Sequence, residues 1–200
     1  MSYVAGALAW TARFISGAQG HWVNSNPPEG QCIFVANHSS HLDFTVLWAT
    51  LPKCVRERTR PVAAKDYWEH QGLRRYLALE VFQAVLVDRS GHNRHVLDPM
   101  LEALEQGHSL ILFPEGTRGS GEEPAEFKSG VFHLVKHRPG LPVVPAYLEN
   151  LNRVLPKGEF LPVPLLSRVH FGAPLVLGQG EGKAEFLERL RTSVTELARL

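Results

Sequence analysis

Apolar residues along this chain fall into short unbroken runs at 32–36, 61–64, 84–87, 109–113 and 143–148. Runs of this length with no polar alternation predict strands buried on both faces. Helical spacing lies between them, at 42–51, 73–81 and 131–136. Asp98-Pro99 predicts another helix, with Asp98 as cap and Pro99 as first residue, ending near Gly107. Phe186, Leu187, Leu190, Val194 and Leu197 recur at helical spacing, so the C-terminal segment predicts a helix with one apolar face. The alternation predicts a single α/β domain over residues 21–200, a largely parallel mixed sheet flanked by helices. Two stretches, 116–124 and 151–167, carry the Gly, Ser and Pro of loops.

The first residues form a separate question. Val4, Leu8, Trp10, Phe14 and Ile15, with Arg13 among them, suit a helix within residues 1–20. It is far shorter than the roughly 20 apolar residues that span a bilayer. It also lacks the basic start and cleavage site of a signal peptide. Two readings stand: a helix in the lipid interface, or a helix packed on the domain.

Composition narrows the partners. The chain has 200 residues, 44% of them hydrophobic, and a formal charge of +1. No bulk field draws it to nucleic acid, and none is expected as a partner; attraction to anions has to come from local clusters. Cys32 and Cys54 form neither a C-x-x-C pair nor a disulfide framework, and read as buried free thiols.

Chemistry gathers where strands end. Asn37-His38-Ser39-Ser40-His41-Leu42-Asp43 follows the first buried run. On a regular helix, His38 and Asp43 would sit about 140° apart. They meet only if His38 lies in the turn before the helix. Ser40 with Asp43 three residues on fits a capping box that starts the helix there. A histidine paired with a carboxylate is the standard means of activating a hydroxyl. The pattern equally fits a helix-start aspartate beside a turn histidine, and His38, His41 and Asp43 are also metal-ligand types.

Phe113-Pro114-Glu115-Gly116-Thr117-Arg118 ends another run, where Glu115 suits hydroxyls and Arg118 suits phosphate oxygens. An internal Glu115–Arg118 ion pair is the plainer alternative. Asp88-Arg89 and Lys65 also follow predicted strands, and Lys128 follows the loop. Ligands of open α/β sheets gather at the carboxyl ends of strands, so these groups are expected to converge.

Taken in order, His38-x4-Asp43, Val87-Asp88-Arg89, Phe113-Pro114-Glu115-Gly116-Thr117-Arg118 and Val143-Val144-Pro145-Ala146 resemble the four blocks of the lysophosphatidic acid acyltransferase family, within the glycerophosphate acyltransferase superfamily. The resemblance covers about residues 30–150, with 77 residues between His38 and Glu115. It implies a glycerolipid acyltransferase fold. His38 would be general base and Asp43 its orienting partner. Glu115, Gly116, Thr117, Arg118, Arg89, Lys65 and Lys128 would bind the acceptor. The donor would be acyl-CoA or acyl-acyl-carrier protein, the acceptor lysophosphatidic acid, with no cofactor and no metal. Residues Ala84 and Leu86 depart from the Gly and Phe usual in the second block.

The expected mechanism is direct transfer without an acyl-enzyme, since no G-x-S-x-G elbow is present. Backbone N–H groups at the helix start after His38 would hold the oxyanion. The alternatives are another lysolipid acceptor, a thioesterase, or a non-catalytic lipid-binding module. The expected location is peripheral, on the cytoplasmic face of the membrane, held by the N-terminal segment with Arg56, Arg58, Arg60, Arg74 and Arg75.

Overall fold

The central strand explains why the apolar runs are unbroken. Along β2 (Ile33–Ala36) every residue is buried. Phe34 and Ala36 belong to one apolar cluster, with Val46, Leu47 and Trp48 of helix α1 (Asp43–Thr50). Ile33 and Val35 belong to a second, on the opposite face, with Leu134, Phe186 and Leu190. A strand covered on both faces has no solvent side to mark with polar residues.

In the computed structural model, residues 6–7, 10–13, 17–40, 42–68, 72–88, 95–119, 124–151 and 167–200 are described. The remaining strands are β1 (Gln19–Trp22), β3 (Thr59–Ala64), β4 (Val85–Val87), β5 (Ser109–Leu112), β6 (Val143–Glu149) and β7 (Arg168–Phe171). They form one seven-stranded sheet in the order β1-β7-β6-β2-β5-β3-β4. Strands β2 to β6 run parallel where they pair, and β7 turns antiparallel against β6 with β1 parallel beside it. The α/β class, the single domain and the largely parallel mixed sheet therefore stand as expected.

The further helices are α2 (Lys53–Glu57), α3 (Lys65–Trp68), α4 (Leu73–Tyr76), α5 (Asp98–Glu105), α6 (Gly130–His137) and α7 (Lys183–Leu197). Helix α4 widens into a π-turn at Leu77–Val81. Helix α5 starts one residue earlier than expected: Leu97 takes the cap position and Asp98 is the first helical residue. Helices α6 and α7 pack their apolar stripes into the second cluster.

Strands β1 and β7 were not expected from the apolar runs. Strand β1 is an edge strand with three exposed positions, and β7 alternates instead of running unbroken. Near the N-terminus, residues 6–7 and 10–13 are helical, and Trp10 is 67% exposed. No helix among the described residues is long and apolar enough to cross a membrane. Most of the 151–167 loop lies outside the described residues.

Two sequence expectations need correction. Cys32 is buried, but Cys54 is exposed, because it lies on the outer side of the short α2. The arginines at 56, 58 and 60 are not a free basic patch. Arg56 donates to the carbonyls of Ala49 and Leu51 at the end of α1 and stacks over Trp48. Arg58 donates to the Pro28 carbonyl, and Arg60 to those of Glu57 and Thr59. Burial lowers the pKa of Arg56 and Arg60. Arg75 is exposed, and the Arg74 side chain lies outside the described set.

Candidate functional site

Strands β2 and β5 are neighbours, with Ile33 opposite Leu110 and Val35 opposite Leu112. The offset is 112 − 35 = 77. His38 and Glu115 are also 77 residues apart, so the register of the strands carries on into the turns beyond them. There the His38 N–H donates to Glu115 Oε1 at 2.7 Å. In return, the Gly119 N–H donates to the His38 carbonyl at 2.8 Å. Asn37 ties the same turn to β6: its amide accepts from the Leu148 N–H at 2.7 Å and donates to the Leu148 carbonyl at 3.2 Å.

His38 precedes the helix, and this brings it to Asp43. Helix α1 begins at Asp43, which is fully buried. Its Oδ2 lies 2.8 Å from His38 Nδ1. The same oxygen accepts the N–H groups of Ser39 at 2.6 Å and Ser40 at 2.8 Å. Half of the expected capping box is therefore formed. In the other half, Ser40 Oγ turns to the Leu42 N–H, at 3.3 Å. A carboxylate on Nδ1 makes that nitrogen the donor, and the lone pair falls on Nε2. The imidazole also stacks on Phe113, centroids 4.6 Å apart, which fixes its plane.

Glu115 is buried, and each carboxylate oxygen has a backbone partner: Oε1 takes His38 N–H, and Oε2 takes the Ala125 N–H at 3.1 Å. It has no ion pair with Arg118 among the described residues. Its geometry is that of a brace joining the ends of β2 and β5 to the segment before α6.

A cavity of about 420 Å³ opens beside this turn, lined by His38, Arg118, Gly116 and Lys128 at one part and by apolar side chains such as Phe82 and Met100 elsewhere. Lys128 lies across Gly116, whose φ is +74°, and fills the space where a Cβ would stand. Neither Arg118 nor Lys128 has a side-chain ion pair or hydrogen bond among the described residues. Thr117 and Lys65 are exposed and absent from the cavity lining, where Asp66 appears instead. Arg89 lies outside the described residues.

Among the described residues, three backbone N–H groups at the helix start, those of Ser39, Ser40 and Leu42, are engaged within the turn. Sequence reasoning missed the cavity lining. Phe44, Phe82, Met100 and Val131 come from four separate elements, and no local pattern marks them as neighbours.

Comparison with known proteins gives similarities of sequence and fold. The model of the acyltransferase family matches residues 21–149. A probable 1-acyl-sn-glycerol-3-phosphate acyltransferase from Mycoplasma pneumoniae is 30% identical over 135 residues, covering 66% of this chain and 50% of that protein. A 1-acyl-sn-glycerol-3-phosphate acyltransferase from Limnanthes alba is 32% identical, covering 68% and 47%. The human 1-acyl-sn-glycerol-3-phosphate acyltransferase alpha is 31% identical, covering 66% and 46%. The chain thus spans about half the length of these curated relatives. The crystal structure of the 1-acyl-sn-glycerophosphate acyltransferase PlsC from Thermotoga maritima shares the fold, with a TM-score of 0.76 at 19% identity, over 98% of this chain and 79% of that one.

Proposed function

The chain belongs to the acyltransferase family, and on that premise we propose that it transfers a fatty acyl group from a thioester to the free hydroxyl of lysophosphatidic acid. The observation that carries this reading is the His38–Asp43 pair, 2.8 Å apart, whose histidine lines a largely apolar cavity together with Arg118 and Lys128. A volume of about 420 Å³ falls in the range of small-molecule sites, roughly 300–1,000 Å³.

In this reading, the acyl chain of acyl-CoA or acyl-acyl-carrier protein occupies the apolar part of the cavity. The acceptor hydroxyl meets Nε2 of His38. As that nitrogen takes the proton, the oxygen attacks the thioester carbonyl, and a tetrahedral intermediate forms. Asp43 stabilises the imidazolium. The intermediate collapses, the C–S bond breaks, and the imidazolium returns its proton to the leaving thiolate. Arg118 and Lys128 hold the acceptor phosphate and the charge on the intermediate, since the described N–H groups of Ser39, Ser40 and Leu42 are engaged. Arg89 and Lys65 are further candidates for the phosphate. Glu115, Gly116 and Thr117 shape the acceptor side, Glu115 through the turn it braces. The reading includes peripheral association with the cytoplasmic membrane face through residues 1–20, where Trp10 is exposed.

The test is an assay of purified protein with acyl-CoA, with and without lysophosphatidic acid, and with a panel of lysolipids bearing diester head groups. Acyl transfer that requires lysophosphatidic acid and disappears in His38→Ala is expected. Thiol release at the same rate without any acceptor would identify a thioesterase instead. Tight lysolipid binding without turnover would identify a lipid-binding module.

A further inference from the structure

We infer that Arg191, on the C-terminal helix α7, is a positioning residue for this site, acting on Glu115 through a single peptide unit. The inference rests on the acyl-transfer reading above. Arg191 lies outside the stretch matched by the family model, which ends at residue 149.

Arg191 Nε donates to the Pro124 carbonyl at 3.2 Å. That carbonyl and the Ala125 N–H belong to one planar amide, and the Ala125 N–H donates to Glu115 Oε2 at 3.1 Å. The other Glu115 oxygen receives the His38 N–H at 2.7 Å. The peptide between residues 124 and 125 is therefore bonded at both ends, to a guanidinium through its oxygen and to a carboxylate through its N–H. A cation on the oxygen draws electron density across the amide and makes the N–H a stronger donor, so the two bonds reinforce each other.

The surroundings suit that role. Pro124, Glu115 and Phe127 are buried and Ala125 is exposed, so both hydrogen bonds of the amide are partly buried. The segment from 124 to 128 has no regular structure of its own. Its other tie to the β5 turn is the Lys128 N–H on the Pro114 carbonyl, at 2.9 Å. The same segment delivers Lys128 to the cavity. Releasing Arg191 loosens one of these two ties, and with it both the brace under His38 and the approach of Lys128.

Arg189 supplies a contrast on the same helix. It makes a two-pronged pair with Glu181, at 2.8 and 2.7 Å, and donates to the Val176 carbonyl at 3.0 Å. None of these partners touches the site, so Arg189 serves the fold alone.

The experiment compares Arg191→Met, Arg191→Lys and Arg189→Met in the full chain. It uses steady-state kinetics with acyl-CoA and lysophosphatidic acid, together with amide hydrogen exchange at His38 and Ala125. In Arg191→Met, kcat is expected to fall between about tenfold and a hundredfold, the scale of a catalytic group displaced by a fraction of an ångström to one ångström. The KM for acyl-CoA is expected to stay within about twofold, as for a loss felt beyond ground-state donor binding. Exchange at Ala125 and His38 should quicken by about tenfold. Arg191→Lys keeps a donor within reach and should recover most of both losses. Arg189→Met should lower the thermal midpoint with kinetics unchanged.

Unaltered exchange at Ala125 and His38 in Arg191→Met overturns the inference, and so does an Arg191→Lys variant no better than the methionine. If the wild type transfers no acyl group, the function reading fails, and the exchange data alone decide the role of Arg191. If Arg191→Met does not fold, Arg191→Gln, too short to reach Pro124, takes its place. Failure of both to fold makes Arg191 a folding residue and overturns the inference.

Discussion

The carboxylate of Glu115 sits 2.7 Å from the backbone nitrogen of His38, a contact to the main chain and not to the imidazole. Glu115 thereby fixes where the turn after β2 stands relative to β5. Its second oxygen holds Ala125, so substitution releases two partly buried N–H groups at once. Glu115→Gln keeps one acceptor but turns an NH2 group toward the other donor. We expect it to lose about 1–3 kcal/mol of stability, the cost of an unsatisfied buried group. Urea denaturation measures that loss. Acyl transfer should fall by at least about tenfold as the turn relaxes, measured as kcat/KM. Wild-type stability in Glu115→Gln would contradict the bracing role.

Asp43 combines three donors on one oxygen: His38 Nδ1 and the N–H groups of Ser39 and Ser40. Replacing it affects both the ring and the turn. His38→Ala should abolish acyl transfer while leaving the fold, since its side chain is partly exposed and, beyond Asp43, stacks on Phe113. Asp43→Asn should cut kcat by about 10³- to 10⁴-fold, because an amide nitrogen near Nδ1 favours the wrong tautomer. Asp43→Ala should also destabilise by about 1–3 kcal/mol through the orphaned N–H groups. Turnover of His38→Ala near that of the wild type would remove the general-base role.

The two thiols should behave differently. Burial pushes the Cys32 thiol up from 9.0 to about 12, and Cys54 is exposed. Cys32 is protonated in the folded chain at pH values where the unfolded chain has already lost that proton. Its contribution to stability is full below about pH 9 and declines as pH rises toward 12. The decline has a slope of about 1.4 kcal/mol per pH unit. Cys32→Ala should flatten that part of the pH–stability curve. A thiol reagent at neutral pH should label Cys54 at once and Cys32 only on unfolding, counted by mass spectrometry. Rapid labelling of both would contradict the burial.

The unbroken apolar runs made strands β2 to β6 legible, because strands largely covered on both faces leave a simple trace. Strand β7 does not: Arg168, Val169, His170 and Phe171 alternate, and its pairing with β6 and β1 makes it a strand. The meeting of His38 and Asp43 was readable from the turn residues between them. The meeting of His38 and Glu115 was not derivable from spacing, since 77 residues means nothing until β2 and β5 are known to be neighbours. The expected phosphate cluster was read from strand ends alone. That edge is shared by every parallel strand, so it does not say which side chains face the cavity, and Lys65 does not line it. Arg191 was beyond reach, because its partner is a carbonyl and backbone carbonyls leave no mark in a sequence.

The cations lining the cavity divide by chemistry. Arg118 offers a planar fork that Lys lacks, so Arg118→Lys should raise the acceptor KM by about tenfold or more while leaving the acyl-CoA KM near its wild-type value. At equal concentration, lysophosphatidic acid should outcompete lysolipids with diester head groups, since a phosphomonoester carries the greater charge. A clear preference for a diester would reject that acceptor and leave the acyl-transfer chemistry in place.

Gly116 separates the effect of backbone strain from that of the site. Its φ is +74°, a conformation that costs a residue with a Cβ about 1–2 kcal/mol. A Cβ there would stand 2.5 Å from Lys128 Nζ and 2.8 Å from Lys128 Cε. Because the obstructing atoms are the far end of a flexible side chain, Lys128 can swing away, and the clash itself costs little stability. The consequence appears at the cavity, where Lys128 would no longer lie across the turn beside Arg118. Gly116→Ala is therefore expected to lose about 1–2 kcal/mol in denaturant titration, from the φ angle alone. Its acceptor KM should rise to the level of Lys128→Met. In the double variant the two effects on KM should not add, because both remove the same cation from the same place. Additive effects would mean that Gly116 acts on the acceptor by some path other than Lys128.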